Sequence, residues 1–205
     1  MFLKFDNMTK QDIRNEIKVL CSENAGELAG KSAAICRNII SSAEYEAAQV
    51  VLAYMALKDE VDLDSVILDA LKKGKKVAVP KIIDFDKGIM QFFYLDEAQK
   101  LNTQTEAGTL GINEPDQNML TPLNINELKD KKTLILVPGR AFTKDGDRLG
   151  RGKGFYDRFL AKIVGSSPTM TRLPNVSIAG VCFEFQVVET LPTDENDICM
   201  DIVFF

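Results

Sequence analysis

The sequence predicts an α/β fold: a single three-layer domain, with a largely parallel sheet covered by helices on both faces. Three observations carry this. The run "AQVVLAYMAL" is continuously apolar with polar flanks, as a strand buried on both faces should be. An amphipathic segment follows it, and then a second apolar strand, "KVAVP", in the strand–helix–strand order of a parallel unit. At 205 residues and 45% hydrophobic composition, the chain can bury one sizeable core.

Taken in order, "MTKQDIRNEIKVL" opens a helix, with Thr9 as N-cap and Asp12 three positions on as a weak capping box. Ile13, Ile17 and Leu20 form its apolar stripe, while Lys10, Arg14 and Lys18 recur every four residues on another face. That basic stripe reads first as a solvated face, with an anion site as the alternative. A second helix is expected over Ser32 to Glu46. After the first strand, "KDEVDLDSVILDALKKGKK" begins acidic, places Leu63, Val66, Ile67, Ala70 and Leu71 on one side, and stops at Gly74. "IMQFFYL" is a further strand. Asp96 to about Asn126 lacks any period and is expected to be a long, irregular, functional loop. "TLILVPG" is a strand that runs into a glycine-rich turn and then a helix from about Phe155 to Val164. "GSSPTMTRLPN" is expected to be a surface loop, and "SIAGVCF" and "CMDIVFF" are the last strands.

Composition excludes several classes. There is no histidine, so imidazole bases, Ser-His or Cys-His nucleophiles and His-ligated zinc are ruled out. Cys21, Cys36, Cys182 and Cys199 are scattered without a Cys-x-x-Cys pair, which suits reduced, buried thiols. What remains is carboxylate, lysine, arginine, backbone dipoles and oxygen-held metals, a set that serves phosphate chemistry. No apolar run approaches the ~20 residues of a membrane span, and the first residues lack the apolar core of a signal peptide. A cytoplasmic location is expected. The net charge of −5 disfavours nucleic acid as a partner. Charge is nevertheless segregated. Arg140, Lys144, Arg148, Arg151, Lys153 and Arg158 crowd one stretch, while Glu184 to Asp201 carries only acids. Two such runs could form an anion site and a metal site that meet in the fold.

Functional ligands of parallel sheets gather at strand carboxyl ends, which is where "GDRLGRGKGFYDRFL" follows "TLILVPG". Gly150, Gly152 and Gly154 would let the backbone approach a phosphate, and the following helix N-terminus would add its dipole. The stretch matches neither the Walker A loop nor the dinucleotide fingerprint. Spacing alone leaves a phosphate loop and a tight, solvated turn both open.

The longer stretch "VPGRAFTKDGDRLGRGKGFYDRFL" closely resembles the signature of the 5-formyltetrahydrofolate cyclo-ligase family, also called 5,10-methenyltetrahydrofolate synthetases. Its other landmarks occur in family order over nearly the whole chain: the Lys10/Arg14 helix, "DEVD" before "GKKVAVP", "GINEP", and "LPTDENDICMDIV". The resemblance implies an ATP- and Mg²⁺-dependent cyclisation of 5-formyltetrahydrofolate to 5,10-methenyltetrahydrofolate through a phosphorylated formyl group. It implies ATP contacts at Lys10, Arg14, Arg148, Leu149, Gly150, Arg151, Gly152, Lys153, Gly154, Phe155 and Tyr156. Folate contacts are implied at Met55, Glu60, Arg151, Gly152, Lys153, Gly154 and Phe155. Arg148, Arg151 and Lys153 would be catalytic, and Asp157 and Asp197 would hold Mg²⁺. The partners are then ATP and 5-formyltetrahydrofolate, with neither nucleic acid nor membrane, and the chain is expected to act as a monomer.

Two departures stand out. Phe155 replaces the family's first tyrosine, and Arg140 and Thr143 stand where an aliphatic residue and aspartate are common, so neither of these two receives a role. Glu114 of "GINEP" reads either as part of the folate pocket or as an exposed loop acid. Other phosphoryl-transfer enzymes and non-catalytic folate- or nucleotide-binding modules are the competing classes.

Overall fold

A computed structural model describes residues 3–5, 8–109, 111–165 and 172–205. The order is α1 (Lys10–Glu23), α2 (Leu28–Ile40), α3 (Ala43–Ala47), β1 (Val50–Leu52), α4 (Asp64–Lys72), β2 (Lys76–Asp84), β3 (Ile89–Tyr94), β4 (Thr105–Ala107), β5 (Asn113–Pro115), β6 (Thr133–Pro138), β7 (Ala141–Thr143), β8 (Arg148–Leu149), α5 (Phe155–Val164), β9 (Val176–Val181), β10 (Val187–Val188) and β11 (Ile202–Phe204). The central sheet runs β11-β9-β6-β1-β2-β3, parallel throughout except for the antiparallel edge strand β3.

The expected layering is present. Val51, Val77 and Leu134 face α2, α3 and α4 on one side of the sheet. Leu52, Ala78 and Ile135 face α5 on the other, through Phe159, Leu160 and Ile163. From β1 the chain moves to β2 on one flank, whereas β6 leads to β9 on the opposite flank. The order therefore reverses between β1 and β6, and a crevice opens at their carboxyl ends.

α1 stands outside these layers. Its buried Ile13, Ile17 and Cys21 pack on Ala141, Leu149 and Val188 of a small sheet, β10-β7-β8. Thr9 and Asp12 form the full capping box: the Asp12 N–H donates to Thr9 Oγ1 at 3.2 Å, and the Thr9 N–H to Asp12 Oδ2 at 3.1 Å.

Three expectations need correction. The helix expected over Ser32–Glu46 is two helices. It starts earlier, at Leu28, and breaks at Ser41–Ser42, where the Ser42 hydroxyl caps α3 by accepting from the Tyr45 N–H. The strand expected over "AQVVLAYMAL" keeps only Val50–Leu52. Beyond it the Tyr54 hydroxyl donates to the Val61 carbonyl at 3.0 Å, folding the segment into the crevice wall. The long irregular loop contains the β4–β5 hairpin, and the fully buried Gln104 closes it, its side-chain amide accepting from the Asp96 N–H and donating to the Asp96 and Gln99 carbonyls. Polar side chains replace backbone partners there, so no hydrophobic period announces the structure. Part of the surface loop expected over 165–175 lies outside the described residues.

Candidate active site

The crevice is built from the loop between β8 and α5. Arg148 is only 7% exposed; its guanidinium donates to the Pro138 carbonyl at 3.2 Å and pairs with Asp157 in the first turn of α5. Gly152 and Gly154 hold φ of +99° and +69°, a left-handed backbone that side chains with a Cβ resist, so glycine is required for the chain to turn here. Gly154 is also the N-cap of α5 and supplies no side-chain cap, which leaves first-turn N–H groups facing outward. From α1, Arg14 Nε donates to the Gly150 carbonyl at 2.8 Å and fixes the loop from its other side.

Two cavities share this loop as a wall. One is an apolar slot between the carboxyl ends of β1 and β6, lined by Tyr54, Met55, Pro80, Ile82, Met90 and Pro138. Its polar lining comes from Glu60, Glu114, Arg148, Arg151, Lys153 and Asp157, beside the rings of Phe155 and Tyr156. The other is an open polar groove that holds Lys10, Arg14, Leu149, Gly152, Asp194 and Asp197. Gly150, Gly154 and Asp157 border both. The residues singled out in the sequence are thus gathered within one adjoining pair of cavities. Gly152, expected to contact both ATP and folate, borders only the groove, whereas Arg148, Arg151, Lys153, Phe155 and Tyr156, expected among the ATP contacts, line only the slot.

The charged groups are already paired with one another. Lys10 Nζ lies 2.6 Å from Asp197 Oδ2 and 2.7 Å from Asp194 Oδ2, so these acids of the C-terminal run pair with α1 rather than with the basic stretch Arg140–Arg158 expected to meet them. Burial alone would lower the Lys10 pKa, but the two carboxylates outweigh it and hold it above its ordinary value. Lys10 in turn holds Asp194 below the usual carboxylate range. Across the slot, Arg151 Nε meets Glu60 Oε1 at 2.8 Å, and a second arm of Arg151 pairs with Asp59, which also receives Arg140. Burial pushes the Asp59 carboxyl up, yet Arg151 and Arg140 prevail and hold it below its ordinary value. Glu60 has its second oxygen filled as well, by the Leu57 N–H at 3.0 Å.

Around the loop's tip, Lys153 Nζ stands 4.4 Å from the centre of the Phe85 ring, and that ring lies 6.0 Å from Phe155. The Tyr156 hydroxyl and Arg148 Nε are buried without a hydrogen-bond partner. Burial pushes the Tyr156 phenol pKa up, so it stays a neutral donor. Asp59, Arg140 and Asp194 went unassigned in the sequence. The only local signal for the first was its place beside Glu60, and for Arg140 its place just past the end of a strand.

Among the described residues no three acidic or thiol side chains converge as a metal cage. Mg²⁺ does not require one, because it keeps waters and commonly takes one or two carboxylates plus substrate phosphates. Asp157 and Asp197 in one groove beside outward N–H groups fit that demand.

The model of the 5-formyltetrahydrofolate cyclo-ligase family matches residues 6–205. The 5-formyltetrahydrofolate cyclo-ligase of Mus musculus is 26% identical over 200 residues, which cover 97% of this chain and 94% of the mouse protein. That of Haemophilus influenzae is 28% identical over 193 residues, covering 92% and 93%. Among solved structures, the Aquifex aeolicus 5,10-methenyltetrahydrofolate synthetase superposes with a TM-score of 0.70 at 29% identity, covering 96% of this chain and 89% of the other. The Mycoplasma pneumoniae 5,10-methenyltetrahydrofolate synthetase shares the fold at a TM-score of 0.65 and 21% identity, covering 96% and 98%.

Proposed function

The chain belongs to the 5-formyltetrahydrofolate cyclo-ligase family, and on that premise we propose that it cyclises 5-formyltetrahydrofolate to 5,10-methenyltetrahydrofolate at the expense of ATP. The observation that carries the proposal is the pair of cavities sharing one wall, an apolar slot beside a charged groove. A flat, partly apolar folate suits the first, and a polyphosphate suits the second.

In this reading the formyl oxygen attacks the γ-phosphorus, the bond to the β-phosphate oxygen breaks, and ADP leaves. N10 then attacks the formyl carbon and loses its proton, and the carbon–oxygen bond breaks to release phosphate. An amide oxygen is a poor leaving group, and phosphorylation removes that obstacle. The protein must hold two substrates in line and neutralise charge, which needs no histidine. Lys10, Arg14 and the N–H groups from Gly150 to Tyr156 would hold the phosphates. Arg148, Arg151 and Lys153, lining the slot beside that wall, would neutralise the transferring phosphoryl group. Met55, Glu60 and Phe155 would contact the folate.

Mg²⁺ would be held by Asp157 and Asp197 and would supply charge neutralisation on the phosphates. Lys10 and Asp197 satisfy each other without ligand. A bound metal–phosphate pair would let each exchange its partner for one of the same sign, so no charge is left uncompensated.

The test is direct. Purified protein mixed with 5-formyltetrahydrofolate, ATP and Mg²⁺ should produce the near-ultraviolet absorbance of the methenyl product, and omission of any one addition should prevent it. ATP binding without product would retain the nucleotide groove and discard the folate assignment.

A further inference from the structure

Of the cations that line the slot, Arg148 pairs with Asp157, and Arg151 with Asp59 and Glu60. Lys153 is held differently. Among the described residues its ammonium is met by a ring and not by a carboxylate. Nζ stands 4.4 Å from the centre of the Phe85 ring, inside the roughly 6 Å over which an aromatic face attracts a cation. Phe85 lies in the turn between β2 and β3, and it belongs to the lining of neither cavity.

That turn is a firm mount. The Lys87 N–H donates to Asp84 Oδ1 at 3.0 Å, and the Lys87 ammonium pairs with Asp84 Oδ2 at 2.8 Å. The Gly88 N–H donates to the Phe85 carbonyl at 3.3 Å. Gly88 is buried against the glycine loop: a Cβ there would stand 2.7 Å from the Lys153 carbonyl oxygen. The same oxygen accepts from Arg158 Nη1 at 2.6 Å. The Phe85 ring also packs on Phe155, the first residue of α5, with centroids 6.0 Å apart. Lys153 therefore meets the turn at both ends, through its carbonyl and through its ammonium.

A carboxylate that holds an ammonium also cancels its charge. A ring holds it through a quadrupole and leaves the unit charge in place. It also spends the rotamer freedom of the long lysine stem before any substrate arrives, so that less ordering remains for the reaction itself. Resting on the phosphoryl-transfer reading above, we propose that Phe85 is a positioning residue of the reaction: its ring holds the Lys153 ammonium at the slot, oriented and with its charge uncancelled, for the phosphoryl group in transfer.

The experiment weakens the ring's negative face without changing its shape. Phe85→Leu keeps apolar bulk and removes the quadrupole, and kcat for cyclisation should fall roughly 3–10-fold. A trifluorinated phenylalanine in place of Phe85 keeps the ring and drains its negative face, and it should lose nearly as much. Phe85→Tyr retains the face and should stay near wild type. In a Lys153→Met background neither the leucine nor the fluorinated ring should cost anything further, because the group they act through is gone. The fluorinated ring decides the matter if Phe85→Leu folds poorly. A full wild-type rate with the fluorinated ring, or an equal loss of rate in the Lys153→Met background, overturns the proposal and leaves the cyclo-ligase reading standing. A wild type that never turns over 5-formyltetrahydrofolate sinks the parent reading, and this inference falls with it.

Discussion

Asp157 neutralises Arg148, which is 7% exposed, and borders both cavities. In the proposed reaction it would also hold Mg²⁺. Asp157→Asn keeps a hydrogen-bonding side chain but strips the charge from a pair with one buried member. We expect Mg²⁺-dependent turnover to fall by about 100-fold or more. Urea unfolding should register a separate cost of about 1–3 kcal/mol, with a cooperative transition retained. An undiminished rate at saturating ATP and Mg²⁺ would remove Asp157 from the metal assignment. The sequence motif isolates this residue well, because Asp157 and Arg148 lie nine positions apart within one signature. It does not disclose that their charges are spent on each other before any ligand arrives.

Helix α1 links stability to the groove. Lys10 is its first residue and Arg14 lies one turn on, so the capping box at Thr9 positions both. Thr9→Ala should cost about 1 kcal/mol of stability and, by fraying the first turn, raise the KM for ATP several-fold while sparing that for folate. Ser42→Ala is the matched comparison. Ser42 caps α3 far from either cavity's lining, and its loss should cost a similar ~1 kcal/mol with no kinetic change. Equal kinetic effects in the two variants would mean that the cap at Thr9 has no specific hold on the groove. The capping box is readable because it is local, three residues long. The two-helix break at Ser41–Ser42 is also local, but apolar periodicity runs through it and conceals it.

At the scale of the whole molecule, Asp59 ties three distant parts together: the segment after β1, Arg140 just before β7, and the glycine loop. Its folded pKa lies below the ordinary aspartate value. The contribution is therefore complete above the unfolded value of about 4 and disappears as pH falls through the depressed one. For a pair this sheltered it amounts to about 1–2 kcal/mol. Wild-type urea midpoints measured between about pH 6 and pH 3 should drop more steeply below about pH 4 than those of Asp59→Asn. The variant should already be less stable at neutral pH. Parallel curves would show that the network carries no net stability.

The strand–helix–strand order, the capping box and the glycine loop are properties of neighbouring residues, and the sequence by itself determined them: steric and hydrogen-bonding rules act over a few positions. The hairpin inside the long loop escaped because Gln104 and the turn at Gly108 hold it with polar bonds rather than an apolar period. Partnership between charges is of another kind. Arg151 and Asp59 are 92 positions apart, and Lys10 and Asp197 are 187 apart. Which acid answers which base depends on distance through space and on burial, since Coulomb attraction grows as separation shrinks and water is excluded. Only the packing of α1 on the small sheet, and the reversal of strand order between β1 and β6, decides those distances. Hence Glu60 is already engaged by Arg151, 91 positions away in the chain.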